Sequence, residues 1–318
     1  MPSIRTNGLT KQFGDDTIAV DSLDLTVESG EIFGFLGPNG AGKSTTINML
    51  LDFIRPTDGS AQVLGMDVQK DTAAIRDRIG VLPEGYEFDE YLTGREYVEW
   101  TIETKAAEDD PDEILETVGI RDDAARKAAS YSTGMQQRLA FGMALVDDPD
   151  VLILDEPSAG LDPNGIQRMR SIIRDRADDG TTVFFSSHLL SEVEAVCDRV
   201  GVMNDGQLVA MDTIDGLRKK AGGRASIELK CEMQPAAEEI EALDAVTEVI
   251  VEETTLTAYC TDPSVKADVV RRVDEQANVV DILVDETSLE ELFNRYTGGG
   301  RDGTSTEGSD STSREASV

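Results

Sequence analysis

The sequence predicts an α/β protein. Its core is a parallel sheet with crossover helices, preceded by a short antiparallel β subdomain, interrupted by a helical insert and followed by a small βαββαβ module. Three observations point there. The runs "EIFGFLG", "VLILDEP" and "TTVFFSSH" are short and continuously apolar, as strands covered on both faces are. The last two are separated by "GIQRMRSIIRDRADDG", which has the length and pattern of a crossover helix. Past residue 218 the text changes to the alternating strand and helix patterns of a second unit.

In chain order, "IRTNGLTKQFGDDTIAVDSLDLTVESGE" alternates apolar and polar residues around Gly and Asp turns, the pattern of half-buried antiparallel strands. "EIFGFLG" then runs into a glycine-rich turn and the helix-like "KSTTINMLLDFI", whose Ile47, Leu50, Leu51 and Ile54 keep helical spacing. Residues 87–147 form the helical insert, rich in charged helical text such as "REYVEWTIETKAA" and "PDEILETVGI". His188 follows "TTVFFSS", read as the last core strand. A first domain over residues 1–218 is followed by an α+β unit over 219–298. Its order "RASIELKCE", "PAAEEIEAL", "VTEVIVEE", "TTLTAYCT", "SVKADVVRRVDEQ", "VVDILVDE" suggests a ferredoxin-like module. The helix "SLEELFNRYTG" opens with a capping box of Ser288 and Glu291. Residues 299–318 carry almost nothing apolar and are expected to be disordered.

Composition narrows the function. The chain has 63 acidic and 29 basic residues in 318, a net charge of −34, which opposes a nucleic-acid surface built on clustered Lys and Arg. The acidity is spread along the chain and suggests a halophile's cytoplasm rather than one acidic tail. Cys197, Cys231 and Cys260 are scattered without a C-x-x-C pair, so neither a disulfide framework nor a zinc site is indicated and a reducing cytoplasm fits. No run of about 18 apolar residues occurs, and the N-terminus lacks the apolar centre of a signal peptide. If the protein serves a membrane, another chain spans it.

The chemistry lies in three motifs. "GPNGAGKST", comprising Gly37, Pro38, Asn39, Gly40, Ala41, Gly42, Lys43, Ser44 and Thr45, sits between a strand and a helix. It matches G-x-x-x-x-G-K-[ST], the P-loop of nucleoside triphosphatases. Its glycines let backbone amides curl around a β-phosphate, Lys43 neutralises β and γ oxygens, and Ser44 ligates Mg²⁺. "VLILDEP" ends a strand in Asp155 and Glu156. An acidic pair can simply end a strand, but beside a P-loop Asp155 suits the magnesium shell and Glu156 the attacking water. "YSTGMQQR" places Ser132 and Gly134 at the start of a helix. Ser132 is a natural N-cap there, and the same helix terminus is equally an anion site. His188, the chain's one histidine, reads in isolation as a hydrogen-bonded structural residue.

From Ile4 to about Arg218 the chain resembles the ATP-binding subunit of an ABC transporter, with the motifs in the family's order. "YSTGMQQR" resembles the signature usually written LSGGQ, "SAGLD" the D-loop, and "VLPEGYEF" the Q-loop. Two departures stand out: Thr133 and Met135 within the signature, and Glu84 where the Q-loop has glutamine, an oxygen donor that is now charged. The resemblance implies ATP and Mg²⁺ as ligands, Phe13 stacking on adenine, Glu84 near the metal, and His188 reading the γ-phosphate beside Glu156. It also implies a head-to-tail dimer, with a homodimer favoured, in which Ser132 and Gly134 cap the ATP held by the partner. The expected assembly is a peripheral subunit at the cytoplasmic face of the membrane, driving a separate permease of the drug, copper or polysaccharide export type. A soluble relative in translation or DNA repair would carry two cassettes or long coiled coils. A GTP switch would carry an N-K-x-D loop, and a pure binding module would leave Glu156 idle.

Overall fold

Strands buried on both faces must alternate their side chains between two cores, and the central strands here do so. The computed structural model describes residues 1–14, 16–220, 225–261 and 263–285. The expected closing helix at 288–298, with Ser288 and Glu291, and the tail at 299–318 lie outside the described residues.

The chain opens with β1 (Ile4–Phe13), β2 (Thr17–Leu23) and β3 (Thr26–Val27), then β4 (Ile32–Leu36), which leads into α1 (Lys43–Leu50). β5 (Asp58–Val63), β6 (Met66–Asp67) and α2 (Thr72–Arg76) follow, then β7 (Ile79–Leu82). The helical stretch holds α3 (Gly94–Lys105), α4 (Pro111–Thr117) and α5 (Thr133–Ala144). The core resumes with β8 (Val151–Asp155), α6 (Pro163–Asp178), β9 (Thr182–Ser187), α7 (Leu190–Val196), β10 (Arg199–Asn204), β11 (Gln207–Thr213) and α8 (Ile214–Lys220).

The central sheet has the order β11-β10-β4-β9-β8-β7. All its pairings are parallel except β10 with β11. Ile32, Leu36, Leu152 and Leu154 face one core cluster, shared with α3 to α7. Phe33, Phe35, Val151 and Ile153 face the other, shared with α1, α2 and the antiparallel sheet. Phe184 stacks on Phe33 with centroids 5.9 Å apart and tilts against Phe35 at 5.1 Å, bonding β4 to β9. Each such fully buried ring stabilises the fold by about 1.5–3 kcal/mol. The second sheet, order β2-β1-β5-β6 with β3 beside β1, is antiparallel and supplies the expected β subdomain.

Two expectations need correction. β9 is not the last core strand, because β10 and β11 extend the sheet and leave β9 between β4 and β8. Their hairpin turns at Asp205 and Gly206, both left-handed with φ of 46° and 81°, a D-G turn signal the sequence displays. The helix after the P-loop stops at Leu50 rather than running to Ile54: Asp52 is left-handed (φ 54°), and the Phe53 and Ile54 amides turn back onto the Asn48 carbonyl.

The C-terminal unit comprises β12 (Ala225–Cys231), α9 (Glu238–Glu241), β13 (Val246–Glu252), β14 (Thr255–Cys260), α10 (Lys266–Ala277) and β15 (Val279–Asp285). Its sheet, order β13-β14-β12-β15, is antiparallel throughout. That is the ferredoxin-like arrangement expected from the βαββαβ order. Ile227, Leu229, Leu256, Val269 and Val273 fill a core of its own.

Candidate functional site

In an open parallel sheet, ligands gather at the carboxyl ends of the strands. Here β4, β9 and β8 lie side by side and deliver the P-loop, the Ser186–His188 segment and the acidic pair to one edge. Strand register fixes the neighbours: Leu36 lies opposite Ser187, and Asp155 opposite Ser186. The Gly37 amide continues the ladder, donating to the Ser187 carbonyl at 3.2 Å.

A cleft of about 240 Å³ opens at this edge, lined by Ala19, Asn39, Gly40, Gly42, Lys43, Ser44, Thr45, Glu84 and Glu156. Gly42 begins α1 in a left-handed conformation, φ 104°, where a Cβ would run into the Ala19 carbonyl. Only glycine fits that close approach. Lys43 is 6% exposed. Its ammonium donates to the Gly37 carbonyl at 2.7 Å and the Pro38 carbonyl at 3.3 Å, and stands 3.4 Å from Glu156 Oε1. The other Glu156 oxygen, Oε2, meets His188 Nδ1 at 2.8 Å. Lysine, glutamate and histidine thus form a continuous chain across the strand ends. The imidazole is about half exposed, at 46%, which does not suit a core structural role.

The acidic pair is held from β9. Ser186 is fully buried; its hydroxyl donates to Asp155 Oδ1 at 2.5 Å and accepts the Glu156 amide at 3.0 Å. Glu156 itself is left-handed, φ 48°, a conformation a non-glycine residue adopts only when its surroundings enforce it. Ser44 Oγ lies 3.5 Å from Glu84 Oε2, so the substituted Q-loop carboxylate does reach the P-loop hydroxyl. Ser44, Glu84 and Asp155 offer only hard oxygen donors, the chemistry Mg²⁺ selects. Among the described residues no cluster of three or more His, Cys, Asp or Glu forms a protein-only metal cage. Ser44 and Glu84 line the cleft, whereas Asp155, held by Ser186, does not; waters and phosphate oxygens commonly complete so partial a magnesium shell.

Other expected residues stand apart from the cleft. Ser132 caps α5, accepting the Met135 amide at 3.3 Å, and is exposed. Neither Ser132 nor Gly134 lines the P-loop cleft. Gly134 packs on the D-loop, where an added Cβ would come within 2.8 Å of the Gly160 carbonyl. Phe13 ends β1 opposite Thr17; it does not line the cleft, is 44% exposed and has Lys11 Nζ 5.0 Å from its ring centroid. Ala19 on neighbouring β2 does line the cleft. Sequence reasoning missed Ser186 and also Gln137, which donates to the Pro157 carbonyl at 3.0 Å and the Glu156 carbonyl at 3.4 Å. Ser186 precedes the histidine by two residues and Gln137 lies inside the signature, but their bonds are tertiary and leave no mark in the sequence.

A family model described as ABC transporter matches residues 20–159. The bacitracin transport ATP-binding protein BcrA of Enterococcus faecalis is 34% identical over 301 residues, covering 93% of this chain and 97% of its own. The daunorubicin/doxorubicin resistance ATP-binding protein DrrA of Streptomyces peucetius is 35% identical over 319 residues, covering 96% of this chain and 95% of its own. Among solved structures, an ATP-binding subunit of an ABC transporter superposes with a TM-score of 0.64 at 24% identity, over 69% of this chain and 93% of that one. A dimeric ATP-binding cassette in a post-hydrolysis state with ADP and Pi gives a TM-score of 0.61 at 23% identity, over 66% and 98% of the two chains.

Proposed function

Because the chain belongs to the ABC transporter family as an ATP-binding, ATP-hydrolysing cassette, we propose that it powers export through a separate membrane permease. Relatives alike over nearly their whole length carry names that describe bacitracin transport and daunorubicin resistance, which supports outward movement of a drug-like or peptide cargo. The observation that carries the mechanism is the convergence of Lys43, Glu156 and His188 at adjoining strand ends.

In this reading the P-loop amides from Gly37 to Thr45 wrap the phosphates, and the α1 N-terminus adds positive potential. Lys43 releases Glu156 when the more strongly anionic β and γ oxygens take its ammonium. Glu156 then polarises the attacking water while His188 holds the γ-phosphate. Ser44, Glu84 and Asp155 would hold Mg²⁺, which when bound neutralises charge on the β and γ oxygens. Phe13 stacks on the adenine. Ser132 and Gly134, outside their own chain's cleft, cap the nucleotide of a second copy, so one chain holds two half-sites.

The cassette is assigned to residues 1–218, with its helical part at about 87–147, and an accessory domain to 219–298. No helix among the described residues is long and apolar enough to cross a membrane. Attachment to the cytoplasmic face is assigned to the permease. The surface best suited to it is a groove of about 330 Å³ between the helical part and the sheet, lined by Phe53, Tyr86, Trp100 and Met143 among others. Phe53 is 60% and Trp100 53% exposed, an apolar patch of the kind that marks a partner site. Affinity purification of the full chain from its native membranes tests the reading. A multi-span membrane protein should copurify, and Trp100→Glu should release it while basal ATPase persists. Recovery of the chain with no membrane protein, or unchanged recovery with Trp100→Glu, counts against it.

A further inference from the structure

The turn carrying Glu156 is strained and is held from two sides. Glu156 has φ 48° and Gly160 φ 74°. A left-handed non-glycine residue costs on the order of 1–2 kcal/mol and is kept only by surrounding contacts. On one side the Ser186 hydroxyl accepts the Glu156 amide. On the other, the Gln137 carboxamide nitrogen faces two consecutive carbonyls, those of Glu156 at 3.4 Å and Pro157 at 3.0 Å. Carbonyl oxygens accept and never donate, so the amide nitrogen of Gln137 must face them.

Gln137 lies on α5, whose N-cap is Ser132. The same helix also touches the D-loop at two points. Gly134 packs against the Gly160 backbone, and Arg138 Nη2 donates to Asp162 Oδ1 at 2.9 Å. That oxygen also accepts the Gly165 amide at 2.7 Å and so caps α6. Of these three ties, the one through Gln137 alone ends on the peptide of Glu156 itself.

We infer that Gln137 is a positioning residue for hydrolysis: its carboxamide fixes the Glu156 peptide to the signature helix, so that the seating of α5 sets the direction of the Glu156 carboxylate. The inference rests on the reading that Glu156 polarises the water. It adds a route by which the nucleotide capped by Ser132 and Gly134 on one face of α5 bears on the same chain's own catalytic centre. A misplacement of about 1 Å at such a group can cost up to about a hundredfold in rate.

The test compares Gln137→Met, of similar length but without a donor, Gln137→Lys, which restores a donor, and Gln137→Glu, whose carboxylate opposes both carbonyls. Each is made in the full-length chain. The inference expects kcat to fall at least about tenfold in Gln137→Met, further in Gln137→Glu, and to recover in part in Gln137→Lys. KM for ATP and the affinity of a fluorescent ADP analogue should stay within about twofold. Placed in a Glu156→Gln background, Gln137→Met should leave ATP-dependent dimerisation intact, because the capping face of α5 is unchanged. Wild-type kcat in Gln137→Met, equal losses in kcat and ADP affinity, or loss of the dimer in the double variant would each overturn it. Should Gln137→Met not fold, the order of Gln137→Lys above Gln137→Glu in kcat decides. Retained turnover in Glu156→Gln alone would sink the underlying assignment, whereas a dead Glu156→Gln beside a fully active Gln137→Met would sink only this inference.

Discussion

Ser186→Ala probes the acidic pair without touching either carboxylate. The hydroxyl is fully buried, donates to Asp155 Oδ1 at 2.5 Å and accepts the Glu156 amide at 3.0 Å. Alanine removes a hydrogen bond to a charged group, a contribution of about 1.5–3 kcal/mol, and leaves a buried backbone donor unpaired at about 1–3 kcal/mol. Since the two losses share one site and partly relax together, the expected destabilisation is about 2–4 kcal/mol. At about 2–4 °C per kcal/mol for a domain of this size, Tm should fall by roughly 4–16 °C. Turnover should fall by about tenfold or more as Glu156 loses one of the two clamps on its strained peptide. Urea unfolding followed by circular dichroism gives the first number and phosphate release the second. A stability loss below about 0.5 kcal/mol together with wild-type turnover would refute the reasoning, because neither bond would then matter.

Three further outcomes are expected. His188→Ala should impair hydrolysis while ADP affinity, measured by calorimetry, hardly changes, since ADP lacks the γ-phosphate that the proposed function assigns to the imidazole; equal losses for ADP and ATP would point to a structural histidine. Lys43→Ala should weaken ADP and ATP binding alike if, as proposed, the ammonium also serves the β-phosphate, and unchanged ADP affinity would count against the P-loop reading. With a net charge of −34 per chain, closing two copies around two ATP molecules is opposed by repulsion that molar salt screens, the Debye length falling from about 8 Å to about 3 Å. ATPase activity and dimerisation should therefore rise from low to molar KCl, and an activity maximum near physiological salt with a stable low-salt fold would contradict the halophilic reading.

What the sequence made legible was local. The P-loop is a contiguous motif whose turn geometry follows from its glycines, and the cleft forms where "GPNGAGKST" predicts it. Ser132 caps α5 as its position before a helix implies. The βαββαβ order sufficed for the C-terminal unit because an alternating pattern fixes which face of each strand is buried. Strand order was not legible in the same way. β10 pairs with β4 across about 170 residues of chain, and nothing in "RVGVMN" announces that partner. The bonds from Ser186 and Gln137 were hidden for the same reason: serine and glutamine are ordinary surface residues until the fold brings a carboxylate or a carbonyl to them.

The central claim is that Glu156 drives ATP turnover in a closed dimer, and Glu156→Gln tests it most directly. The amide keeps the volume and the reach to Lys43 and His188 but cannot take up a proton as the carboxylate does. The measurement is phosphate release and sedimentation of the same sample with Mg²⁺ and ATP. The account predicts turnover lowered at least about a hundredfold, near 2.7 kcal/mol of barrier, with ATP affinity retained and an ATP-bound dimer accumulating. Turnover close to wild type, or a variant that stays monomeric with ATP bound, would contradict it.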